Sequence, residues 1–278
     1  MIHGIWGHPF LDLSRYIDAA ALAEVDEEIC LALAQVPTEY TGGSHRTLGI
    51  VPRSLPDERY ADYGEVISRF SRQEFARFIS LSDAPGEFDL TCYQKYTFGE
   101  EQPFALSRKQ MLYLKYRHGV YFPWQLFYEM IPTENWADKS TGAGKSFTAE
   151  SRRYFPKTIE LVRRLPFAEL GRCNILGLDP EHHGTVHQDG DPDDPEAEHF
   201  ITICPRGNKR LFLWDEARQQ QTFVTSRIYW FNDHDFHGVA ADPFFRYSLR
   251  VDGIFTDAFL AQLRRDFPAA TPQPAARA

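Results

Sequence analysis

The sequence lacks the features that mark disulfide-bonded, secreted or membrane-spanning proteins. Its four cysteines, at positions 30, 92, 173 and 204, form no CxxC pair, which argues against a thiolate zinc site and a disulfide scaffold. No stretch approaches the roughly 18 apolar residues that a membrane helix needs. The N-terminal segment "MIHGIWGHPFLDLSRY" has no basic start followed by an apolar run, so no signal peptide is expected. We therefore expect a soluble cytoplasmic protein.

Positive charge is also scarce. There are 30 Lys and Arg against 39 Asp and Glu, giving a formal net charge of −9. This balance disfavours broad binding to nucleic acid or to an anionic membrane. A small-molecule substrate is the expected partner, and a local basic pocket for a small anion is compatible with the total. No feature of the sequence indicates an oligomeric state.

The first half of the 278-residue chain has mainly helical patterns. Apolar residues recur at three and four between Ile17 and Val36, which predicts an amphipathic helix. Ser71 begins the stretch "SRQE", a capping box that predicts a second helix start. Aromatic runs between Phe88 and Tyr128 favour strands or an extended packing layer. Residues 137–153 are predicted to form a polar loop, and Pro156 to open a short helix through Arg164.

After Pro166 the pattern changes to short β-rich runs separated by turn residues. The runs are "RCNILGLD", "HFITICP", "KRLFLWD", "QTFVTSRIYWFND" and "FRYSLRVDGIF". Five runs within about 85 residues predict a sandwich or barrel and not alternating βαβ units. A helix near 257–265 and a disordered tail, "ATPQPAARA", are expected to follow.

A possible metal site lies within this β-rich region, which holds six of the ten histidines. His187 and Asp189 are two residues apart, so at the end of a strand their side chains point the same way and can chelate one ion. His237, 48 residues after Asp189, follows the aromatic run "RIYWF" and could supply a third ligand from a later strand brought alongside. Two imidazoles and one carboxylate leave three positions of a ferrous ion open for co-substrate and oxygen.

A candidate anion site follows nine residues after His237. In "RYSLRVDG", Arg246, Ser248 and Arg250 alternate and share one face of a strand. An arginine fork can bind a carboxylate through two charge-assisted hydrogen bonds, and a hydroxyl can add a third. Ser248 is equally compatible with an ordinary strand hydroxyl. Arg250 is equally compatible with contacting substrate carboxylate, assisting Arg246, or forming a structural ion pair.

From about Phe155 to Phe255 the sequence resembles the Fe(II)/2-oxoglutarate-dependent dioxygenases. The nearest likeness is to the aspartyl/asparaginyl β-hydroxylase-like branch, near the bacterial proline hydroxylases. It rests on the stretches "LGLDPEHHGTVHQD", "EHFITICP" and "FNDHDFHGVAADPFFRYSL".

The resemblance implies a fold and an assignment of residues. The fold is α+β, mainly β, with a double-stranded β-helix (jelly roll, cupin-like) core over 166–256. A helical or mixed region, 1–165, completes the substrate pocket, and 257–278 form a C-terminal helix and tail. His187, Asp189 and His237 would bind Fe(II), with His237 preferred over His234. Arg246 would hold the far carboxylate of 2-oxoglutarate, with Ser248, Arg250 and the strand histidine His199 as further contacts.

The implied reaction uses O2 and 2-oxoglutarate to hydroxylate an unactivated C–H bond, with release of succinate and CO2. An amino acid or an amino-acid-derived natural product is the substrate class that the resemblance implies. Two departures matter. Asp189 is present, unlike in the mammalian peptide hydroxylases of the branch or in halogenases, and Ala197 stands where some relatives carry an arginine.

Other interpretations remain open. A non-oxidative cupin-type lyase, isomerase or binding module would use the same three ligands without needing Arg246, and a pure carbohydrate- or protein-binding jelly roll would need no metal. His182 and His183 are expected in solvent or supporting positions. The loop "DGDPDDPEAE" departs from a calcium loop at its sixth and twelfth positions, and "STGAGKSF" has Lys139 where a phosphate-binding loop needs Gly.

Overall fold

The computed structural model describes residues 1–41, 63–98, 106–122, 124–133, 138–189 and 196–269. The predicted disordered tail, 270–278, lies outside these ranges, as do residues 190–195 of the acidic loop. Within the described ranges no helix has both the length and the apolar character needed to cross a membrane.

Seven α-helices lie in the described part of the chain. They are α1 (Leu22–Leu33), α2 (Tyr63–Ser68), α3 (Arg72–Ile79), α4 (Arg108–His118), α5 (Ala149–Tyr154), α6 (Pro156–Arg163) and α7 (Asp257–Asp266). The predicted helices at 17–36, after Ser71, at Pro156 and near 257–265 are confirmed, the first over a shorter span. Ser71 Oγ accepts a hydrogen bond from the Glu74 backbone N–H at 3.2 Å and so caps α3.

Two predictions for the first half were wrong in part. The aromatic region predicted to be extended contains α4, because a reciprocal capping box at Ser107 and Gln110 begins the helix and left-handed Gly119 (φ 69°) ends it. The predicted polar loop ends early, since Thr148 caps α5 through its side chain.

Eleven strands form two antiparallel sheets in the described residues. They are β1 (Phe10–Asp12), β2 (Glu39–Thr41), β3 (Trp124–Ile131), β4 (Phe167–Leu178), β5 (Gly184–His187), β6 (Phe200–Ile203), β7 (Leu211–Asp215), β8 (Gln220–Phe223), β9 (Ile228–Phe231), β10 (His237–Val239) and β11 (Arg246–Phe255). The larger sheet has the order β1-β9-β6-β11-β4-β3-β2, and the smaller one has the order β5-β10-β7-β8.

The path of the chain between the sheets identifies the fold. From β4 to β11 the chain passes repeatedly from one sheet to the other, so that β4, β6, β9 and β11 lie in the larger sheet and β5, β7, β8 and β10 in the smaller. This arrangement is a double-stranded β-helix, or jelly roll. The predicted fold class, α+β with a jelly-roll core, is confirmed. The N-terminal strands β1, β2 and β3 extend both edges of the larger sheet.

Helices cover the outer face of the larger sheet and leave its inner face for the site. Leu249 and Val251 of β11 are buried in one hydrophobic cluster with residues of α1, α6 and α7. Tyr247, on the same outer face, donates to Asp26 of α1 at 2.6 Å. Alternate residues of β11, including Ser248 and Arg250, therefore face the interior of the barrel. A second cluster, around α2, α3 and α4, has its own aromatic core.

Candidate metal centre

The strands β5 and β10 bring two histidines side by side. β5 ends at His187, β10 begins at His237, and these residues are direct partners in the antiparallel register, with ring centroids 4.5 Å apart. Asp189 follows two residues after β5. One ligand atom from each residue lies within 4.8 Å of the others, and of the described residues only these three form such a group. The structure therefore brings together the three predicted ligands and leaves His234 outside.

Each imidazole is oriented by a backbone carbonyl two residues earlier. His187 Nδ1 lies 2.6 Å from the Thr185 carbonyl oxygen, and His237 Nδ1 lies 2.9 Å from that of Asp235. These contacts assign the proton to Nδ1 in both rings. Both Nε2 atoms point toward Asp189, at 3.2 Å (His187) and 3.7 Å (His237) from its carboxylate oxygens.

The electrostatics of the three residues suit a divalent cation. Burial opposes ionisation of Asp189, but the charges of His187, His237 and Arg250 outweigh it and hold the pKa well below its usual range. Burial would lower the pKa of His187, yet the Asp189 carboxylate raises it overall. Burial and the charge of His187 lower the pKa of His237 to about 4. The two nitrogens and one carboxylate match the donor set of non-haem Fe(II) sites.

Arg250 contacts the metal site directly. Its Nη1 lies 3.4 Å from Asp189 Oδ2, its Nη2 lies 2.6 Å from Asp233 Oδ2, and its Nε lies 2.8 Å from Asp252 Oδ1. Among the roles that the sequence left open for Arg250, the structure shows buried ion pairs with these three carboxylates. The predicted contact of Arg250 with co-substrate stays a prediction.

A network of buried charges continues behind Arg250. Asp233 lies 3.7 Å from the ammonium of Lys139, which also forms an ion pair with Glu198, and Arg172 binds Asp252 at 2.9 Å. Burial and the charge of Asp233 raise the pKa of Glu198. Lys139, which breaks the phosphate-loop pattern in the sequence, is 1% exposed here. The "STGAGKSF" loop closes on itself instead, with Lys145 Nζ donating to the Thr141 carbonyl at 2.9 Å.

Arg246 lies on the interior side of β11, but its five N–H groups face backbone carbonyls. The acceptors are Lys209, Asp242, Phe244, His182 and Ala240, at 2.6–3.5 Å. In this arrangement the guanidinium has no N–H left for a carboxylate. The predicted role of Arg246 therefore requires the side chain to exchange these carbonyls for the co-substrate.

Sequence reasoning missed Lys209, the cation next to Ser248. Lys209 is 3% exposed, and its Nζ donates to Ser248 Oγ at 2.8 Å. Burial, together with the charges of Arg246 and Arg250, lowers its pKa to about 7. No pattern in the sequence marks it, because Lys209 precedes β7 and the left-handed backbone of Arg210 (φ 62°) interrupts the alternation that Leu211 and Leu213 follow.

His199 lies apart from the triad. Its ring stacks on Phe255 at 4.7 Å and meets Trp230 edge-on at 5.6 Å, while Nδ1 accepts a hydrogen bond from the Phe255 backbone N–H. Its neighbour Phe200 faces the interior, under Arg250, so His199 projects to the opposite face of the sheet. The structure thus gives His199 packing contacts behind the sheet, away from the triad, and its expected contact with 2-oxoglutarate stays a prediction.

His182 and His183, which precede β5, make structural contacts with neighbouring residues. The His183 ring stacks on Tyr121 at 4.8 Å, and the His182 carbonyl accepts a hydrogen bond from Arg246 at 2.6 Å. Neither side chain belongs to the ligand group.

Polar side chains also line the interior wall opposite the triad. Glu129 of β3, Asn174 of β4 and Arg250 of β11 are consecutive register partners, so they share one face of the sheet. Asn174 is 1% exposed, and its Oδ1 has no hydrogen-bond partner among the described residues. Glu129 and the nearby Phe127 and Leu176 are half-buried, which leaves this wall accessible from solvent.

Comparison with known proteins gives only distant likenesses. No family model and no curated protein match the chain. A 2OG-Fe(II) oxygenase family oxidoreductase from Burkholderia pseudomallei is 12% identical over 45% of this chain and 66% of its own, just under two thirds, with a TM-score of 0.29. A Pseudomonas putida prolyl-4-hydroxylase is 13% identical over 46% and 70%, with a TM-score of 0.27.

A third similar structure is a cupin 2 conserved barrel domain protein from Rhodopseudomonas palustris. It is 15% identical over 37% of this chain and 78% of its own, with a TM-score of 0.22. Scores at this level carry no argument about activity. The jelly roll is identified by its strand order, and the aspartyl/asparaginyl β-hydroxylase-like branch stays a prediction.

Proposed function

We propose that this protein is an Fe(II)/2-oxoglutarate-dependent oxygenase that hydroxylates an unactivated C–H bond of a small molecule. The observation that carries the proposal is the group formed by His187, Asp189 and His237 inside a jelly roll. Both histidines have Nδ1 bound to a carbonyl and Nε2 turned toward the carboxylate, the arrangement that ion binding requires.

The chemistry divides between cofactors and chain. Bound iron, 2-oxoglutarate and O2 supply the oxidation and release succinate and CO2. His187, Asp189 and His237 hold the ion and leave positions open for the co-substrates. The barrel wall excludes water from the ion on the sides formed by buried strands.

Two arrangements are candidates to hold the distal carboxylate of 2-oxoglutarate, Arg246 alone or Lys209 together with Ser248. Arg246 is the one that the sequence predicts, but its N–H groups are engaged with carbonyls. Lys209 and Ser248 present an ammonium and a hydroxyl 2.8 Å apart on the interior side, a pair that can bind one carboxylate. We therefore favour Lys209 with Ser248 as the group that binds the distal carboxylate. Arg246 then has the structural role of joining the backbone carbonyls around it.

The substrate in this proposal is an amino acid or an amino-acid-derived molecule. The interior wall offers the half-buried carboxylate of Glu129 beside the buried amide of Asn174, at the level of Arg250. These groups suit a substrate with N–H donors or an ammonium group near the oxidised carbon.

The first test is an anaerobic titration with Fe(II) and 2-oxoglutarate, followed by visible absorption. We expect the metal-to-ligand charge-transfer band of a chelated 2-oxo acid in the wild type and in His183→Ala, and its loss in His187→Ala. Iron binding without a band would contradict the oxygenase proposal and favour the non-oxidative cupin-type alternative. No metal binding at all would favour the metal-independent binding module.

A further inference from the structure

The two oxygens of the Asp189 carboxylate have different neighbours. Oδ1 lies 3.2 Å from His187 Nε2, whereas Oδ2 lies 3.4 Å from Arg250 Nη1 and 3.7 Å from His237 Nε2. An oxygen that accepts a charge-assisted hydrogen bond has less electron density to give to an ion. The guanidinium therefore favours binding of the ion through Oδ1 alone.

Arg250 also joins the two segments that carry the ligands. The Asp189 backbone N–H donates to the Asp233 carbonyl at 2.8 Å, and Arg250 Nη2 bonds the Asp233 carboxylate at 2.6 Å. Asp233 belongs to the turn that leads to His237, in which the Asp235 carbonyl fixes the His237 ring. One side chain thus spans the carboxylate ligand and the turn that orients the second histidine.

The guanidinium is itself held rigidly. Arg250 lies on β11 between β4 and β6, is 6% exposed, and has its Nε on Asp252 at 2.8 Å. The Phe200 ring lies beneath the guanidinium, with Arg250 Cζ 3.9 Å from the ring centroid. Such a group can set the position of a neighbouring carboxylate because it has little freedom of its own.

We propose that Arg250 is a positioning residue of the metal centre, which keeps Asp189 monodentate and holds the His237 turn in register with it. Monodentate binding preserves the open positions that two co-substrates need. This inference rests on the metal centre of the proposed function, and its test separates the two.

The test compares Arg250→Lys with Arg172→Lys, which makes the same change in a second buried arginine on Asp252. A lysine retains the charge but lacks the planar guanidinium, whose spread N–H groups reach Asp189, Asp233 and Asp252 at once. Dissociation constants for Co(II) alone would be measured by calorimetry, and the visible d–d spectrum of the Co(II) protein would report the coordination number. We expect Arg250→Lys to weaken Co(II) binding about 10- to 100-fold and to shift the spectrum toward a higher coordination number.

Arg172→Lys is expected to bind Co(II) within about threefold of the wild type, with an unchanged spectrum. The isosteric variant Asp233→Asn, which keeps the packing but weakens the bond to Arg250, is expected to lose about tenfold. A folded Arg250→Lys with wild-type affinity and spectrum would overturn the inference, and so would an equal loss in Arg172→Lys. If Arg250→Lys does not fold, wild-type affinity in Asp233→Asn would overturn it. Failure of the wild type to bind Co(II) would overturn the metal centre itself.

Discussion

The two candidate histidine ligands are oriented in the same way, by a hydrogen bond from Nδ1 to the carbonyl two residues earlier. This hydrogen bond lies at the end of β5 for His187 and at the start of β10 for His237. Because the acceptor belongs to the backbone, it does not depend on the side chain at that position. The ring orientation is therefore a property of the backbone, of β5 for His187 and of the turn before β10 for His237, and it makes the two Nε2 atoms converge in the barrel.

The pH dependence of 2-oxoglutarate binding distinguishes the two candidate anchors. Burial lowers the pKa of Lys209 from 10.5 to about 7, so its ammonium is present below pH 7 and is lost above it. A bound carboxylate needs the ammonium, and binding above pH 7 must take up a proton. We expect the dissociation constant of 2-oxoglutarate to rise by up to about tenfold per pH unit between pH 7 and 9, measured anaerobically by calorimetry with Fe(II) present.

The matched variant for this prediction is Lys209→Arg, which stays charged throughout the pH range. Its 2-oxoglutarate affinity should lose the pH dependence. A flat profile in the wild type would instead assign the anchor to Arg246, whose charge does not change in this range.

Individual ligands could be predicted from the sequence to different extents. The spacing of His187 and Asp189 predicts a shared ion, because residues two positions apart at the end of a strand point the same way, and His237 is selected by the aromatic strand before it. In the structure Asp189 lies two residues past the end of β5. Lys209 and Arg250 could not be assigned in this way. Their long side chains reach partners on other strands, and which partner each one meets depends on how the two sheets close.

At the scale of elements, the segment 138–145 is locked against β4. The Arg172 backbone N–H donates to the Lys139 carbonyl at 2.7 Å, and a Cβ at Gly171 would overlap that carbonyl oxygen and lie 2.9 Å from Ser140 Cα. Glycine is therefore required at this point for the loop and strand to touch. The contact also delivers Lys139 to the charge network behind the metal site.

Gly171→Ala should separate this loop from the strand. We expect a loss of about 1–3 kcal/mol in the free energy of unfolding, because backbone must move to relieve the overlap, measured by urea denaturation. Gly207→Ala is the control, since no atom lies within 4 Å of a Cβ there, and should change stability by less than about 0.5 kcal/mol. Equal free energies of unfolding in the two variants would show that the loop can move away from the strand without loss of stability.

Some elements escaped prediction because their signals are short or ambiguous. The sequence patterns indicated five β-rich runs, whereas eight strands lie between Phe167 and Phe255. The strands β5 and β10, which carry the histidines, have four and three residues, too few for an alternation to register. In α4 the aromatic residues suggested strand, but capping at both ends determined a helix.

At the scale of the whole molecule, the candidate metal ligands come from chain segments about 50 residues apart, around β5 and β10 of the smaller sheet. The ion would join the end of β5, the following turn and the start of β10, and these lie together only in the folded chain. Ligands that bind only the native state stabilise it by mass action. A bound metal ion is therefore expected to stabilise the pairing of β5 with β10 in the smaller sheet.

Thermal unfolding should show this effect. At a Co(II) concentration 100 times the dissociation constant, we expect about 2.7 kcal/mol of added stability, or a rise in Tm of roughly 5–10 °C, reversed by a chelator. Asp189→Asn should show a much smaller rise. An equal rise in the variant would mean that Co(II) stabilises the protein from another site.

The sequence was sufficient to predict the jelly-roll core, but not the N-terminal strands that extend its larger sheet. β1 joins β9, and β3 joins β4, across separations that no local pattern encodes. Such pairings arise from edges that the core leaves open and that N-terminal segments then cover.

The N-terminal contact with Asp235 has a consequence for how the protein is made. The backbone N–H groups of His3 and Gly4 bind this carboxylate, His3 across 232 residues. Since a ribosome synthesises the chain from its N-terminal side, His3 has no partner until the residue 232 positions later has been made. The turn before His237 is thus completed by two segments that are synthesised far apart in time, and a metal ion that needs this turn in place would bind only after both have emerged.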